Sequence, residues 1–377
     1  MHYLKPEEIK YLQVDHNSGC NLRCPQCART HNGATIPGLP NLDLTPEHYK
    51  DFIVHTPNLN FVMFCGNYGE VVVSPTFLDC LQYVVENTTA KIVIATNSSA
   101  RDEGWWKELG LLLKGRGKVN FSIDGLGDTN HLYRVNANFD KCMRNAQAFI
   151  DAGGKARWDY LVFGHNEHQV DEAVELAQRM GFKDFAVKLT NRFVNDEQYR
   201  HKKAASEEVE VQTRRSSYTL SMAKNSKYSA SGVDDNTNIV NKYGSWNNYV
   251  DATPIACKWQ PSGQIFLDFY NRVWPCTWTA SGYLHHGDNT QKTQARQLFE
   301  VYGEDFNCLD NQSLPQVLAH EYFAQDLCNS WKGSMADTVP KLFACGRTCG
   351  TDYNFSSAHG ENRKILDFKE QNAIAEV

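Results

Sequence analysis

Twelve cysteines in a chain of 377 residues are the first chemistry legible here, because seven of them fall into two spaced sets. Cys20, Cys24 and Cys27 sit in the string Asn17-Ser-Gly-Cys20-Asn-Leu-Arg-Cys24-Pro-Gln-Cys27. Thiols separated by three and then two residues on a tight loop can converge on one metal site, and cysteine thiolates are the usual ligands of iron–sulfur clusters. Three ligands with no fourth nearby leave one metal position open, as a catalytic zinc site does. A zinc knuckle or three buried cysteines are the structural alternatives. Far downstream, Cys257 and Cys276 bracket CKWQPSGQIFLDFYNRVWPC, and Cys345 and Cys349 follow in ACGRTCG. Four thiols of this kind can close a zinc site or carry a cluster.

Other polar or glycine-rich segments must be placed beside these cysteines to do chemistry. They are Gly66-Asn67-Tyr68-Gly69-Glu70, Thr96-Asn97-Ser98, Ser122-Ile-Asp124-Gly125 and His131-Leu-Tyr133-Arg134. Glycines suit a backbone that comes close to a ligand, and a guanidinium suits a carboxylate. A tight β-to-α connection and a surface ion pair are the plainer readings of the first and last.

The elements able to position them alternate. Runs rich in β-branched or aromatic residues at 11–15, 60–66, 91–97, 118–124, 157–163 and 184–189 read as strands. Segments 45–55, 75–86, 103–114, 139–152 and 168–180 carry helical apolar spacing. Thr45-Pro46-Glu47 is a helix start, and Gly181 sits where a C-cap is expected. Such alternation predicts a parallel sheet of right-handed crossover units, which places ligands at the carboxyl ends of its strands. All the segments named so far in the first 200 residues follow a strand, so they converge on one rim.

Bulk composition narrows the class. Hydrophobic residues make up 41% and charged residues 22%, as in a globular protein. With 38 Lys and Arg against 44 Asp and Glu, the net charge is −6, which gives no global attraction to a phosphate backbone, and nucleic acid is not an expected partner. No apolar run reaches the roughly 18 residues of a membrane span, and MHYLKPEEIKYLQVD lacks a signal-peptide core. A cytoplasmic protein is expected, where reduced thiols favour metal binding over disulfides.

The C-x3-C-x2-C loop after the first strand resembles the signature of the radical S-adenosylmethionine (SAM) superfamily. The resemblance implies an α/β fold, a partial (β/α)6 radical SAM barrel. It implies a [4Fe–4S] cluster on Cys20, Cys24 and Cys27, with SAM on the open iron. Gly66, Asn67, Tyr68, Gly69 and Glu70 resemble the glycine-rich motif that meets the SAM methionine. Asn97, Ser122, Asp124 and Arg134 occupy positions like those of further SAM contacts. Gln26 departs from the family, which usually has an aromatic residue before the third cysteine, and Ser98 stands where relatives have glycine.

The C-x18-C … C-x3-C arrangement resembles the SPASM/twitch extension of these enzymes. It implies one auxiliary [4Fe–4S] cluster on Cys257, Cys276, Cys345 and Cys349, in a C-terminal cysteine-rich domain containing a β-hairpin, with zinc as the rival occupant. Expected boundaries are a barrel over 1–195, a polar insert or linker over 196–254, the auxiliary domain over 255–352 and a charged tail over 353–377. Cys308 and Cys328 are substitute ligands, hydrogen-atom donors or simply buried. Cys65, Cys80, Cys142, Trp105, Trp106 and Met143 are expected in the core, and His285 and His286 in a solvated loop.

The implied activity is reductive cleavage of SAM to a 5′-deoxyadenosyl radical and hydrogen abstraction from a substrate. Three outcomes stand: modification of a peptide or protein, oxidation or epimerisation of a carbohydrate or other small metabolite, or a non-catalytic iron–sulfur or zinc protein. An external one-electron reductant of flavodoxin or ferredoxin type is the implied partner of either enzyme. Sulfatase-maturing relatives place an acidic residue directly after the Pro-Cys ligand, whereas Thr277 follows Cys276 here. Asp268, on the other arm of the hairpin, is read as structural.

Overall fold

Period-two and period-3.6 apolar patterns build a layer of strands with helices packed along it. A computed structural model of the chain describes residues 2–31, 33–190, 208–212, 217–228, 235–284, 289–353 and 363–368. His285 and His286 lie outside the described residues, as does most of the stretch joining the expected barrel to the insert.

The parallel strands are β1 (Tyr11–Val14), β2 (Phe61–Cys65), β3 (Lys91–Thr96), β4 (Gly117–Ser122), β5 (Lys155–Val162) and β6 (Asp184–Leu189). Helices α1 (Pro46–Val54), α2 (Phe77–Asn87), α3 (Glu103–Leu112), α4 (Phe139–Asp151) and α5 (Val170–Met180) return the chain between them. Each start has a local cause. Thr45 forms a capping box with His48, whose Nδ1 accepts from the Thr45 N–H at 2.8 Å. Asp102 and Asn138 accept from Trp105 N at 3.0 Å and Lys141 N at 2.8 Å. Gly181 ends α5 at φ 86°, a left-handed conformation that an L side chain resists.

Alternation decides the faces. Val62 and Phe64 of β2 are buried against the helices, whereas Phe61, Met63 and Cys65 point to the interior side and stay half-buried. The helix-side core is aromatic: Trp106 packs on Phe121 at 5.4 Å between ring centroids, and Trp158 on Phe182 at 5.5 Å. Trp105 packs at its edge, and Cys80 and Cys142 are buried in it. The interior side is polar. Cys65, Ala95, Asn120, Arg157 and Asp184 stand level across the register. Above them Asp159 takes Arg157 Nε at 2.7 Å and Lys188 Nζ at 2.5 Å.

The rest of the chain does not stand apart from this sheet. The described part of the insert holds an antiparallel pair, β7 (Glu208–Gln212) and β8 (Ser217–Ser221), and helices α6 (Asp235–Tyr243) and α7 (Trp246–Ala252). The expected hairpin is present as β9 (Gln264–Leu267) and β10 (Val273–Trp274), antiparallel to each other. Its first arm, however, pairs parallel to β1, with Tyr11 opposite Gln264. In the tail, β11 (Arg363–Asp367) pairs antiparallel with β6. The sheet therefore has nine strands in the order β10-β9-β1-β2-β3-β4-β5-β6-β11. Among the described residues, no helix is long and apolar enough to cross a membrane.

Candidate functional site

The loop after β1 is held by its own side chains before any ligand is considered. His16 is buried, with Nδ1 at 2.8 Å from Tyr49 Oη and Nε2 at 3.0 Å from Ser74 Oγ. Ser18 Oγ donates to Pro40 O at 2.6 Å. Cys27 N donates to Cys24 O at 3.1 Å, which curls the loop so that Cys20, Cys24 and Cys27 are all half-buried and none is disulfide-bonded. Burial pushes the Cys20 thiol up to about 12 and the Cys24 thiol up to about 11, the latter against the pull of the Arg134 guanidinium beside it.

The segment 66–70 abuts this loop through backbone, and glycine makes that possible. A Cβ on Gly69 would lie 1.8 Å from Asn17 O, and one on Gly66 would lie 1.9 Å from Gly69 O. Glu70 N donates to Gly19 O at 2.7 Å, one residue from Cys20. The Glu70 carboxylate is buried and faces β3, taking Thr96 Oγ1 at 2.6 Å and Asn97 N at 2.7 Å. Asn67 and Tyr68 turn the other way. Asn67 Nδ2 donates to Thr277 Oγ1 at 2.7 Å, and Tyr68 Oη donates to Ser281 O at 3.4 Å.

Asn97 faces the cysteine loop, its Nδ2 donating to Asn21 Oδ1 at 3.1 Å with Cys20 Sγ at 3.9 Å. Ser98 takes φ 58°, the conformation for which the glycine of relatives is suited. Ser122 is half-buried at the end of β4. Asp124 is buried, accepting from Leu161 N at 2.7 Å and from Arg134 Nε at 2.6 Å. The carboxylate that Arg134 meets is therefore one of the chain's own, and this charge raises the guanidinium further above its ordinary value. Beside Arg134, Leu220 of β8 and Met222 just after it cluster with Tyr133 and Phe163, with Cys24 at the edge of that cluster.

The sequence reading passed over Asp15. It is 2% exposed at the end of β1, and its Oδ1 accepts from Asn67 N at 3.2 Å. Burial, and then the neighbouring Asp268, raise its carboxyl well above the ordinary range. Asp268 accepts from Trp274 Nε1 at 2.8 Å, Tyr270 N at 2.9 Å and Tyr283 Oη, so it fastens the turn between β9 and β10.

The second set of cysteines lies behind that turn. Cys257, Cys276, Cys345 and Cys349 line one cavity, together with Tyr3, Trp259 and Trp331. Cys257 and Cys349 are brought to the same cavity by the bridge between Ile255 and Gly350. The short helix α8 (Thr277–Ala280) begins directly after Cys276. Cys345 and Cys349 lie one turn apart on helix Phe343–Cys349. Cys308 is elsewhere, with its Sγ 3.8 Å from Tyr270 O. Cys328 is buried beside the cavity, its Sγ 4.0 Å from Gln260 Nε2. Among the described residues, no group of three or more His, Cys, Asp or Glu is poised to hold a single metal ion.

No family model matches the chain. The tungsten-containing aldehyde ferredoxin oxidoreductase cofactor-modifying protein of Pyrococcus furiosus is 34% identical over 118 residues, 31% of this chain. That match spans 32% of the relative's length. The structure of Streptococcus suis SuiB bound to precursor peptide SuiA covers 93% of this chain and 76% of its own, with TM-score 0.52 and 11% identity. SuiB bound to S-adenosylmethionine covers 91% and 71%, with TM-score 0.49 and 12% identity. The likeness to SuiB in its peptide complex, with the mostly parallel sheet, shows that the two chains share an α/β fold.

Proposed function

We propose that the chain is a radical SAM enzyme acting on a peptide or protein. In this reading Cys20, Cys24 and Cys27 hold a [4Fe–4S] cluster whose fourth iron receives SAM, and Cys257, Cys276, Cys345 and Cys349 hold an auxiliary [4Fe–4S] cluster. When bound, cluster and SAM together supply reductive SAM cleavage and hydrogen abstraction by a 5′-deoxyadenosyl radical, with electrons from a flavodoxin- or ferredoxin-type donor.

One observation carries the reading: three half-buried thiols at the carboxyl end of β1 are abutted by the 66–70 turn and by Asn97. The donor set fits an anionic, thiolate-ligated group. Thiols raised by burial lose their protons to metal, Asn97 Nδ2 is directed at Cys20, and Arg134 lies beside Cys24. Asn17 Oδ1 is buried at the same loop without a hydrogen-bond partner. Gly66 and Gly69 let the turn fold on itself and lie against the Asn17 backbone of the cysteine loop, where a Cβ would collide with main-chain oxygens. Asp124 and Arg134 fix the far side of the rim, and the hydrophobic cover from β7–β8 keeps water from it.

The peptide class is supported by the likeness to SuiB in its complex with the precursor peptide SuiA. The Pyrococcus relative, named as cofactor-modifying, supports a second reading in which the substrate is a small molecule or cofactor. The test is anaerobic reconstitution of the whole chain with iron and sulfide, then dithionite and SAM. The reading requires 5′-deoxyadenosine, abolished by Cys24→Ala; iron-loaded protein that forms none sinks it. Deuterium transfer into 5′-deoxyadenosine, screened over labelled peptides and small molecules, separates the two substrate classes.

A further inference from the structure

The four-cysteine cavity has a wall contributed by a residue far from it in sequence. Tyr3 is 1% exposed and lines the cavity. It is fixed on three sides: its N–H donates to Phe323 O at 2.9 Å, its carbonyl accepts from Gln260 Nε2 at 2.7 Å, and its ring meets Trp331 edge-on at 6.5 Å. Its hydroxyl, so placed, donates to Pro275 O at 3.0 Å, the carbonyl directly before Cys276. Cys257 lines the same cavity as Tyr3. A phenol has one proton to give. A thiolate ligand attracts that proton more strongly than a neutral carbonyl does, since hydrogen bonds to charged acceptors are about twice as strong. Two indoles complete the wall. The N–H groups of Trp259 and Trp331 are both buried in the cavity lining without an acceptor.

We propose that Tyr3 and Trp259 are outer donors to the sulfurs of this cavity and set the reduction potential of the group bound there. The inference rests on the reading that the four cysteines hold an iron–sulfur cluster. Donors to cluster sulfurs favour the reduced state, which carries one more negative charge. Tyr3→Phe keeps the ring and its packing and removes only the donor.

The experiment is an EPR-monitored redox titration of the anaerobically reconstituted full chain. The signal lost in Cys276→Ala marks the auxiliary site, and the signal lost in Cys24→Ala marks the first. In Tyr3→Phe the auxiliary signal should persist with unchanged iron content. Its reduced-to-oxidised ratio at fixed potential should fall about tenfold, about 59 mV for one electron, while the first signal stays in place. Trp259→Phe should shift the same signal in the same direction. An auxiliary potential that ignores both substitutions overturns the proposal. A Tyr3→Phe protein that loses the auxiliary signal altogether also overturns it, because Tyr3 would then be needed for packing. Absence of any second signal in the unsubstituted chain overturns the cluster reading itself.

Discussion

Gly69 is the residue whose replacement most directly separates fold from site. The 1.8 Å approach of a Cβ to Asn17 O cannot be relieved by a side-chain rotation, because the oxygen is main-chain and the Cβ position is fixed by the backbone of residue 69. Gly69→Ala should leave the circular dichroism spectrum intact and cut 5′-deoxyadenosine formation at least tenfold. Gly104→Ala, with nothing nearer than 3.4 Å, is the matched control and should change neither. His16 makes a second residue-scale prediction. Burial lowers its pKa from 6.5 to about 3, so it stays neutral while the unfolded chain takes up a proton below its ordinary value. Its contribution to stability is complete above about pH 6.5 and is lost as pH falls toward 3. Within that window the slope owed to His16 is up to about 1.4 kcal/mol per pH unit. Urea midpoints measured across it should fall less steeply in His16→Gln than in the unsubstituted chain. The cysteines were legible because thiol spacing is itself a ligand pattern. Asp15 was not, since one aspartate ending a strand looks like any turn residue until burial and Asn67 are known. Tyr3 gave no signal, because its cavity is assembled from segments more than two hundred residues away.

At the scale of elements, strands and helices were readable wherever an apolar period met a cap, as at Thr45 and Gly181. Pairing was readable only between neighbours in sequence. The β9–β10 hairpin was anticipated, but nothing local tells β9 to lie parallel to β1, because its interior residues suit either a separate unit or the barrel sheet. That docking carries a consequence at Asn67 and Thr277, whose 2.7 Å hydrogen bond joins the 66–70 turn to the residue after Cys276. Both side chains are partly buried, so removing one leaves the other unsatisfied, at about 1–3 kcal/mol. A double-mutant cycle with Asn67→Ala and Thr277→Val, followed by urea unfolding, should give a coupling energy of about 1 kcal/mol. Additive single effects would mean that the contact does not fasten α8 to the rim. The packing layer makes a blunter prediction: Trp106→Ala, at a fully buried aromatic centre, should cost about 3–5 kcal/mol.

For the molecule as a whole, the two sites differ in what they tie together. Cys20, Cys24 and Cys27 belong to one short loop, so a group bound there orders little chain that is not already ordered by His16 and Ser18. The second cavity gathers Tyr3, the 257–276 segment and the helix of Cys345 and Cys349. A group ligated by all four thiols cross-links loops of tens of residues. By loop-closure entropy such a constraint is on the order of 3–5 kcal/mol. Reconstitution should bring about eight irons per chain, four to each cluster, and raise the unfolding temperature. Replacing Cys20, Cys24 and Cys27 by alanine should halve the iron and keep most of the thermal gain. Replacing Cys257, Cys276, Cys345 and Cys349 should halve the iron equally and abolish most of that gain. Equal loss of stabilisation from the two sets would contradict this division between a short local loop and a cavity that joins distant parts of the chain.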